Sequence, residues 1–140
     1  MIITAPDDIG HAIGEWRAAG DTVCLVPTMG AIHDGHLALV TAGKKAAKRI
    51  VVSIYVNPTQ FAASEDFDSY PRNFQADQQA LEAAGGVDAI YAPPVMYRDQ
   101  HATHIVPSGA ALPMEGESRP HFFTGVATIV FKLFQHVPAD

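Results

Sequence analysis

His33 and His36 are the residues with most chemistry to offer, and the residues around them indicate how they are held. They lie in the run Val26-Pro27-Thr28-Met29-Gly30-Ala31-Ile32-His33-Asp34-Gly35-His36-Leu37, where an apolar strand leads into a glycine-permitted turn and then a helix start. Residues three apart on a helix share a face, so both imidazoles are expected on one side of the first turn. Gly35 lets the backbone come close to a ligand, and a helix N-terminus favours an anion. Imidazoles placed there can donate to phosphate oxygens as negative charge builds in a phosphoryl-type transition state. Two other uses compete. With Asp34 beside them the histidines begin a metal site, but no third clear ligand accompanies them, and no metal ligand is assigned. Histidines at this spacing also cap helices, the commoner role for an isolated pair. The buried strand and Pro-Thr-Met-Gly ahead of them favour nucleotide binding.

A second polar cluster, Asn57-Pro58-Thr59-Gln60, follows another apolar run. The Gln60 amide offers two donors and an acceptor at a strand's carboxyl end. Standing alone, it would be a loop amide facing water. Asn-Pro favours a turn, so Asn57 is expected to order this loop.

Three apolar, β-branched runs, residues 22–27, 50–56 and 87–92, must position these groups. Their apolar residues are continuous rather than alternating, which predicts strands buried on both faces. Helical patterns separate them. One covers residues 9–19 behind Pro6-Asp7-Asp8, and another runs from 35 to about 48 with Leu37, Val40 and Ala47 on one stripe. A third covers 73–84, ended by Gly85-Gly86, and a fourth covers 125–136 with Val126, Ile129, Val130, Leu133 and Phe134 facing the core. Residues 104–107 could add a short strand before the Gly/Pro/Ser-rich loop 108–120. Alternating strands and helices imply right-handed crossovers and a parallel sheet: an α/β, Rossmann-like fold with flanking helices. Ligands of such sheets bind beyond the carboxyl ends of the strands, which is where Pro-Thr-Met-Gly and Asn-Pro-Thr-Gln fall. With three strands, the first keeps an open apolar edge, a pairing liability.

Length and composition narrow the class. At 140 residues, 48% hydrophobic and 17% charged, the chain is expected to form a single domain over 1–140 with a filled core. A net charge of −6 argues against nucleic acid. The one basic cluster, Lys44, Lys45, Lys48 and Arg49, falls at a helix end, where cations suit the dipole. Cys24, the only cysteine, is expected to be a buried, inert thiol. No run reaches the ~18 apolar residues of a membrane span, and no leader pattern opens the chain. The expected location is cytoplasmic.

The longer pattern Pro-Thr-Met-Gly-x-x-His-x-Gly-His resembles the pantoate–β-alanine ligase (pantothenate synthetase) family, within the HxGH nucleotidylyltransferase superfamily. Residues 52–61, 65–72, and 114–120 with 125–128 resemble further segments of that family, in order and over nearly the whole chain. The resemblance implies that Thr28, Met29, Gly30, Ala31, Ile32, His33, Asp34, Gly35 and His36 hold ATP. His33 and His36 would act on the phosphates as catalytic residues, His36 donating a proton to departing pyrophosphate. Gln60, with Asn57, would bind pantoate and then β-alanine. It further implies Mg²⁺ accompanying ATP, and a homodimer. Beside these, Tyr70 and Arg72 are expected in structural roles, Glu115 as a loop-ordering carboxylate, and Asp66 and Asp68 in a charged loop that could act as a lid. The competing functions are another HxGH nucleotidylyltransferase, or a non-catalytic fragment that binds ATP or dimerises.

Two departures from the family pattern stand out. Where the family has histidine after Arg-Pro and a small residue, this chain has Phe122, preceded by His121. The family's Gly-x-Lys-Asp and Met-Ser-x-Arg motifs and its C-terminal domain are not found within residues 1–140, so the Rossmann-like domain is expected to be incomplete. Weak or absent turnover by this chain alone is the corresponding expectation.

Overall fold

The structure, a computed structural model, describes residues 1–62, 65 and 67–140. Four parallel strands form one sheet: β1 (Ile2–Ile3), β2 (Val23–Thr28), β3 (Arg49–Ile54) and β4 (Ala89–Tyr91), in the order β1-β4-β3-β2. Helix α1 (Pro6–Ala18) leads to β2, α2 (Asp34–Ala46) joins β2 to β3, and α3 (Phe74–Ala84) joins β3 to β4. A short 3-10 turn (Pro58–Gln60) follows β3, another (Gly109–Ala111) precedes α4 (Glu115–Ser118), and α5 (Phe122–His136) comes last.

The continuous apolar runs are explained by helices on both faces. Val23, Val51 and Tyr91 pack with Ile9, Ile13 and Trp16 of α1 and Ile129 and Leu133 of α5. Val26, Ile50, Val52 and Ile90 pack with Val40 of α2 and Leu81 of α3. Each such side chain contributes roughly 1.5–3 kcal/mol when fully buried, so both faces hold the sheet firmly. The β2–β3 register runs from Val23 opposite Arg49 to Thr28 opposite Ile54. Both strands therefore end at one level, and the two polar loops leave side by side.

Five expectations change. The sheet has four strands rather than three: β1 pairs Ile2 with Ile90 and Ile3 with Tyr91, and two residues are too few to leave a periodic signal. Residues 104–107 are not a strand, because the Ile105 amide donates to Thr128 Oγ1 at 3.0 Å instead of joining the sheet. Phe134 is 46% exposed, because the buried stripe of α5 is Gly125, Thr128, Ile129 and Leu133 and the next position turns away from it. Cys24 is only half-buried, since β2 is the edge strand. The second helix stops at Ala46, and Ala47 is extended. Among the described residues no other strand pairs with the outer edge of β2, though Asp140 meets it at Val23 through its amide (2.9 Å) and Oδ2 (2.8 Å). Among the described residues no helix is long and apolar enough to cross a membrane.

The basic cluster is used internally at the amino ends of the strands. Arg49 donates to Asp21 at 2.7 Å and to Asp88 at 2.9 Å, Lys48 pairs with Asp21 at 2.6 Å, and Lys44 donates to the Ala84 carbonyl at 2.9 Å. Hydrogen bonds from Lys48, then Arg49, hold the Asp21 carboxyl below the usual carboxylate range. A lowered folded-state value stabilises above the unfolded value and is lost as pH falls through it. The melting-temperature gap between wild type and Asp21→Asn should therefore be widest above about pH 4 and close in more acidic buffer. A gap independent of pH would contradict the ion-pair assignment.

Candidate active site

The turn after β2 is built around Thr28. Its hydroxyl donates to the Ser53 carbonyl at 2.7 Å and accepts from the Gly30 amide at 3.2 Å. This ties the ends of β2 and β3 together and makes Thr28, which is buried, a brace. Gly30 (φ 84°) and Ala31 (φ 50°) are both left-handed, and successive residues of this kind turn their amides into an anion-binding concavity. Asp77 of α3 fills it from inside, accepting from Ala31 N at 3.1 Å and Ile32 N at 2.7 Å. A side chain on Gly30 would put its Cβ 2.8 Å from Asp77 Oδ2. Two of the amides expected on ATP are thus occupied by the protein's own carboxylate.

His33 is the N-cap of α2, and its Nδ1 accepts from the Gly35 amide at 3.1 Å. That bond puts the neutral ring's proton on Nε2, which is left as the donor. The capping role weighed from sequence is therefore real for His33, yet it leaves the outward nitrogen available. The His36 ring lies 4.0 Å from that of His33, centroid to centroid. His36 Nδ1 is buried and has no hydrogen-bond partner among the described residues. Burial first, and repulsion from His33 second, hold the His36 imidazole below its usual value, with Asp77 pulling the other way. An arriving phosphate would reverse that balance, because an opposite charge favours the protonated ring.

The Asn57 turn is as tightly specified. Asn57 is fully buried; its Oδ1 accepts from Thr59 N (3.3 Å) and Thr59 Oγ1 (2.9 Å). Its Nδ2 donates to Gln60 Oε1 (2.9 Å) and to the Gly125 carbonyl (3.2 Å). With its oxygen engaged, Gln60 is left with its NH₂ group as the free end. Arg119 donates to the Gln60 carbonyl (2.7 Å), to Glu65 (2.9 Å) and to Glu115 (2.7 Å), and lies 4.3 Å over the Phe122 ring. Phe122, at the departing position, thus serves as a platform for the guanidinium.

His33, His36, Asn57 and Gln60 line a single cavity of about 370 Å³. Its opposite wall is apolar, made by Val126, Ile129, Val130 and Leu133 of α5. Met29 and Tyr55 also border a second hollow of about 520 Å³, lined in part by Phe67, Asp68, Arg72 and Asp77, which contains no imidazole. Despite its smaller size, the first cavity holds the reactive groups. Tyr70 also reaches it, whereas Arg72 is spent on the Asp68 and Phe67 carbonyls and Glu115 on Arg119. Asp68 is exposed at the rim of the larger hollow. Asp66 lies outside the described residues, where Ala63 and Ser64 also fall. Among the described residues no group of three or more His, Cys, Asp or Glu could hold a metal ion.

Asp77 and Arg119 were not assigned from sequence. The signal for Asp77 was available: it precedes Leu81 by one helical step on the buried stripe of α3, and a carboxylate on such a stripe needs partners. Arg119 carried no comparable mark: Glu115 is four residues away, but the Gln60 carbonyl and Glu65, which tie it to the site, lie 59 and 54 residues away in the chain.

The family model described as pantoate-beta-alanine ligase matches residues 1–140. A pantothenate synthetase of Rhodopirellula baltica is 53% identical over 131 residues, covering 90% of this chain and 46% of that protein. Pantothenate synthetase 2 of Bradyrhizobium diazoefficiens is 56% identical over 133 residues, covering 93% and 47%. The chain thus spans about half the length of the curated relatives it matches. Among solved structures, the Francisella tularensis pantoate-beta-alanine ligase complexed with beta-gamma ATP and beta-alanine superposes with a TM-score of 0.89 at 35% identity, covering 99% of this chain and 54% of that one. The Thermus thermophilus pantothenate synthetase gives 0.86 at 38% identity, covering 99% and 49%.

Proposed function

The chain belongs to the pantoate–beta-alanine ligase family, and from that premise we propose that its 370 Å³ cavity is where ATP and pantoate meet to form pantoyl adenylate. One observation carries this reading: imidazoles from the tip of α2 and the amide of Gln60, placed at the ends of adjacent strands, face the same space. The Gln60 NH₂ suits an oxygen of a hydroxy acid, and the α5 wall suits its branched alkyl part. The bound carboxylate attacks the α-phosphorus of ATP, and pyrophosphate departs, with His33 donating through Nε2 and His36 supplying a proton to the leaving oxygen. In the second half-reaction the amine of β-alanine attacks the acyl carbon and AMP leaves. The Francisella neighbour, complexed with beta-gamma ATP and beta-alanine, supports a fold that takes a nucleotide together with β-alanine.

Joining two anions needs more positive charge than two imidazoles supply. The described residues build no Mg²⁺ site of their own, and Mg²⁺ commonly binds through substrate phosphates with one or two carboxylates. The 140-residue chain alone is accordingly expected to bind ATP while showing little or no turnover. Calorimetric titration with ATP, with and without pantoate, in two buffers of different ionisation heat tests this. Binding should take up protons near pH 7, because phosphate raises the depressed His36 value. His36→Asn should abolish that uptake and weaken ATP roughly 10- to 150-fold, the equivalent of a 1.5–3 kcal/mol charge-assisted hydrogen bond. Absence of ATP heat, or uptake unchanged in the variant, would sink the reading. ATP heat unaffected by pantoate would instead mark a nucleotide-binding fragment.

A further inference from the structure

We propose that Asp77 is a positioning residue for the imidazole pair: its buried carboxylate fills the concavity of the β2–α2 turn and so determines where His33 and His36 project. The inference deepens the nucleotide-site reading above and rests on it for the identity of the ligand.

The turn is unusual in what it asks of the backbone. Gly30 and Ala31 are consecutive left-handed residues, and alanine adopts that conformation only against a steric cost. Such a conformation persists when its surroundings over-determine it. Here the determinant is a two-pronged bond, Oδ2 to Ala31 N and Oδ1 to Ile32 N, made by a side chain only 6% exposed. Gly30 is pressed against the same carboxylate. The His33 carbonyl and ring then start α2 immediately after the clamped amides, so any shift of residues 31 and 32 moves both imidazoles. Asp77 comes from α3, which is anchored by its own Asn73 cap (Asn73 Oδ1 to Ala76 N, 3.1 Å) and by buried Leu81.

A bound phosphate cannot share this concavity, since it would face a carboxylate across the same two amides. Ala31 and Ile32 are therefore placed on the protein's side of the turn, and the phosphate-facing groups contract to the outer tip of α2. The carboxylate also acts through space. The groups bearing on His36 are His33 from the helix cap and Asp77 from α3. Asp77 is the anion of this set, and it favours a protonated His36.

The test uses the 140-residue chain and Asp77→Asn. Asparagine keeps one acceptor but points an NH₂ at the second amide, so one bond is lost with little change in volume. Imidazole titrations by NMR should place the His36 midpoint lower in the variant than in wild type, and the Ala31 and Ile32 amide resonances should move. ATP itself, titrated calorimetrically, should bind at least tenfold more weakly. A folded variant with an unchanged His36 midpoint and unchanged amide shifts overturns the proposal, even if its melting temperature falls, because that pattern marks packing alone. Should the variant fail to fold, wild type decides: the Ala31 and Ile32 amide shifts should titrate together with a single carboxyl midpoint, and independence of either from it refutes the clamp. If wild type binds no ATP, the nucleotide assignment fails while the His36 and amide measurements still judge Asp77.

Discussion

Gly125→Ala is expected to destabilise the chain and displace Gln60 from the cavity, although alanine is the better helix former. The intrinsic gain from replacing a helical glycine is about 0.8–1.0 kcal/mol. Against it stands geometry: a Cβ at position 125 would lie 2.5 Å from the Thr59 carbonyl oxygen, 2.8 Å from its carbon and 3.0 Å from its hydroxyl. These are mostly backbone atoms of the 3-10 turn, which no side-chain rotamer can move aside. Overpacking of this kind costs typically about 1–3 kcal/mol, so the clash wins. The Gly125 carbonyl is also held by Asn57 Nδ2, and separating α5 from the turn stretches that bond as well. Gly14→Ala in α1 is the control. Nothing lies within 4 Å of a Cβ there, so propensity acts unopposed and the variant should gain about 0.5–1 kcal/mol. Denaturant melts of the two variants should therefore move in opposite directions. A Gly125→Ala chain as stable as wild type would mean that α5 does not seat on the Asn57 turn this closely.

The different legibility of these contacts has a physical basis. The strand–turn–helix around His33 and His36 announces itself because a buried strand, a left-handed turn and a helix cap each demand particular residue types within a few positions. The same locality made β2, β3, β4 and all four long helices readable to within a few residues. Contacts that depend on the fold's closure leave no local trace. The Asp77 clamp joins residues 45 and 46 apart, and the Arg119 bridge joins residues 54 and 59 apart. The helical pattern puts Phe134 on the core side with Val126 and Val130, whereas the buried stripe runs through Thr128, Ile129 and Leu133 and leaves Phe134 outside. The region 104–107 has strand-like composition, but its Ile105 amide is tied to Thr128 of α5 rather than to a sheet edge. Periodicity reports what a segment can form, and only the partner decides what it does form.

Asn57 carries the other large expected effect, and two substitutions separate its structural role from its orienting one. Asn57→Ala removes four hydrogen bonds at a fully buried position. Each buried polar partner left alone costs about 1–3 kcal/mol; partial relaxation of the Gln60 side chain toward the cavity limits the total to about 2–4 kcal/mol. Asn57→Asp keeps the acceptor for Thr59 but turns an oxygen toward Gln60 Oε1 and the Gly125 carbonyl. The first of these repulsions can be relieved by rotating the Gln60 amide, so that its NH₂ turns toward the new carboxylate and its oxygen toward the cavity. The cavity then offers an acceptor where it had offered a donor. A carboxylate or hydroxyl oxygen seated there meets repulsion, while the imidazoles at the tip of α2 are untouched. Calorimetry on Asn57→Asp should therefore show pantoate's effect on the titration lost with ATP binding itself retained. If pantoate binding survives that substitution, the Gln60 amide does not orient the acid, and the polar end of the cavity must be assigned to other groups.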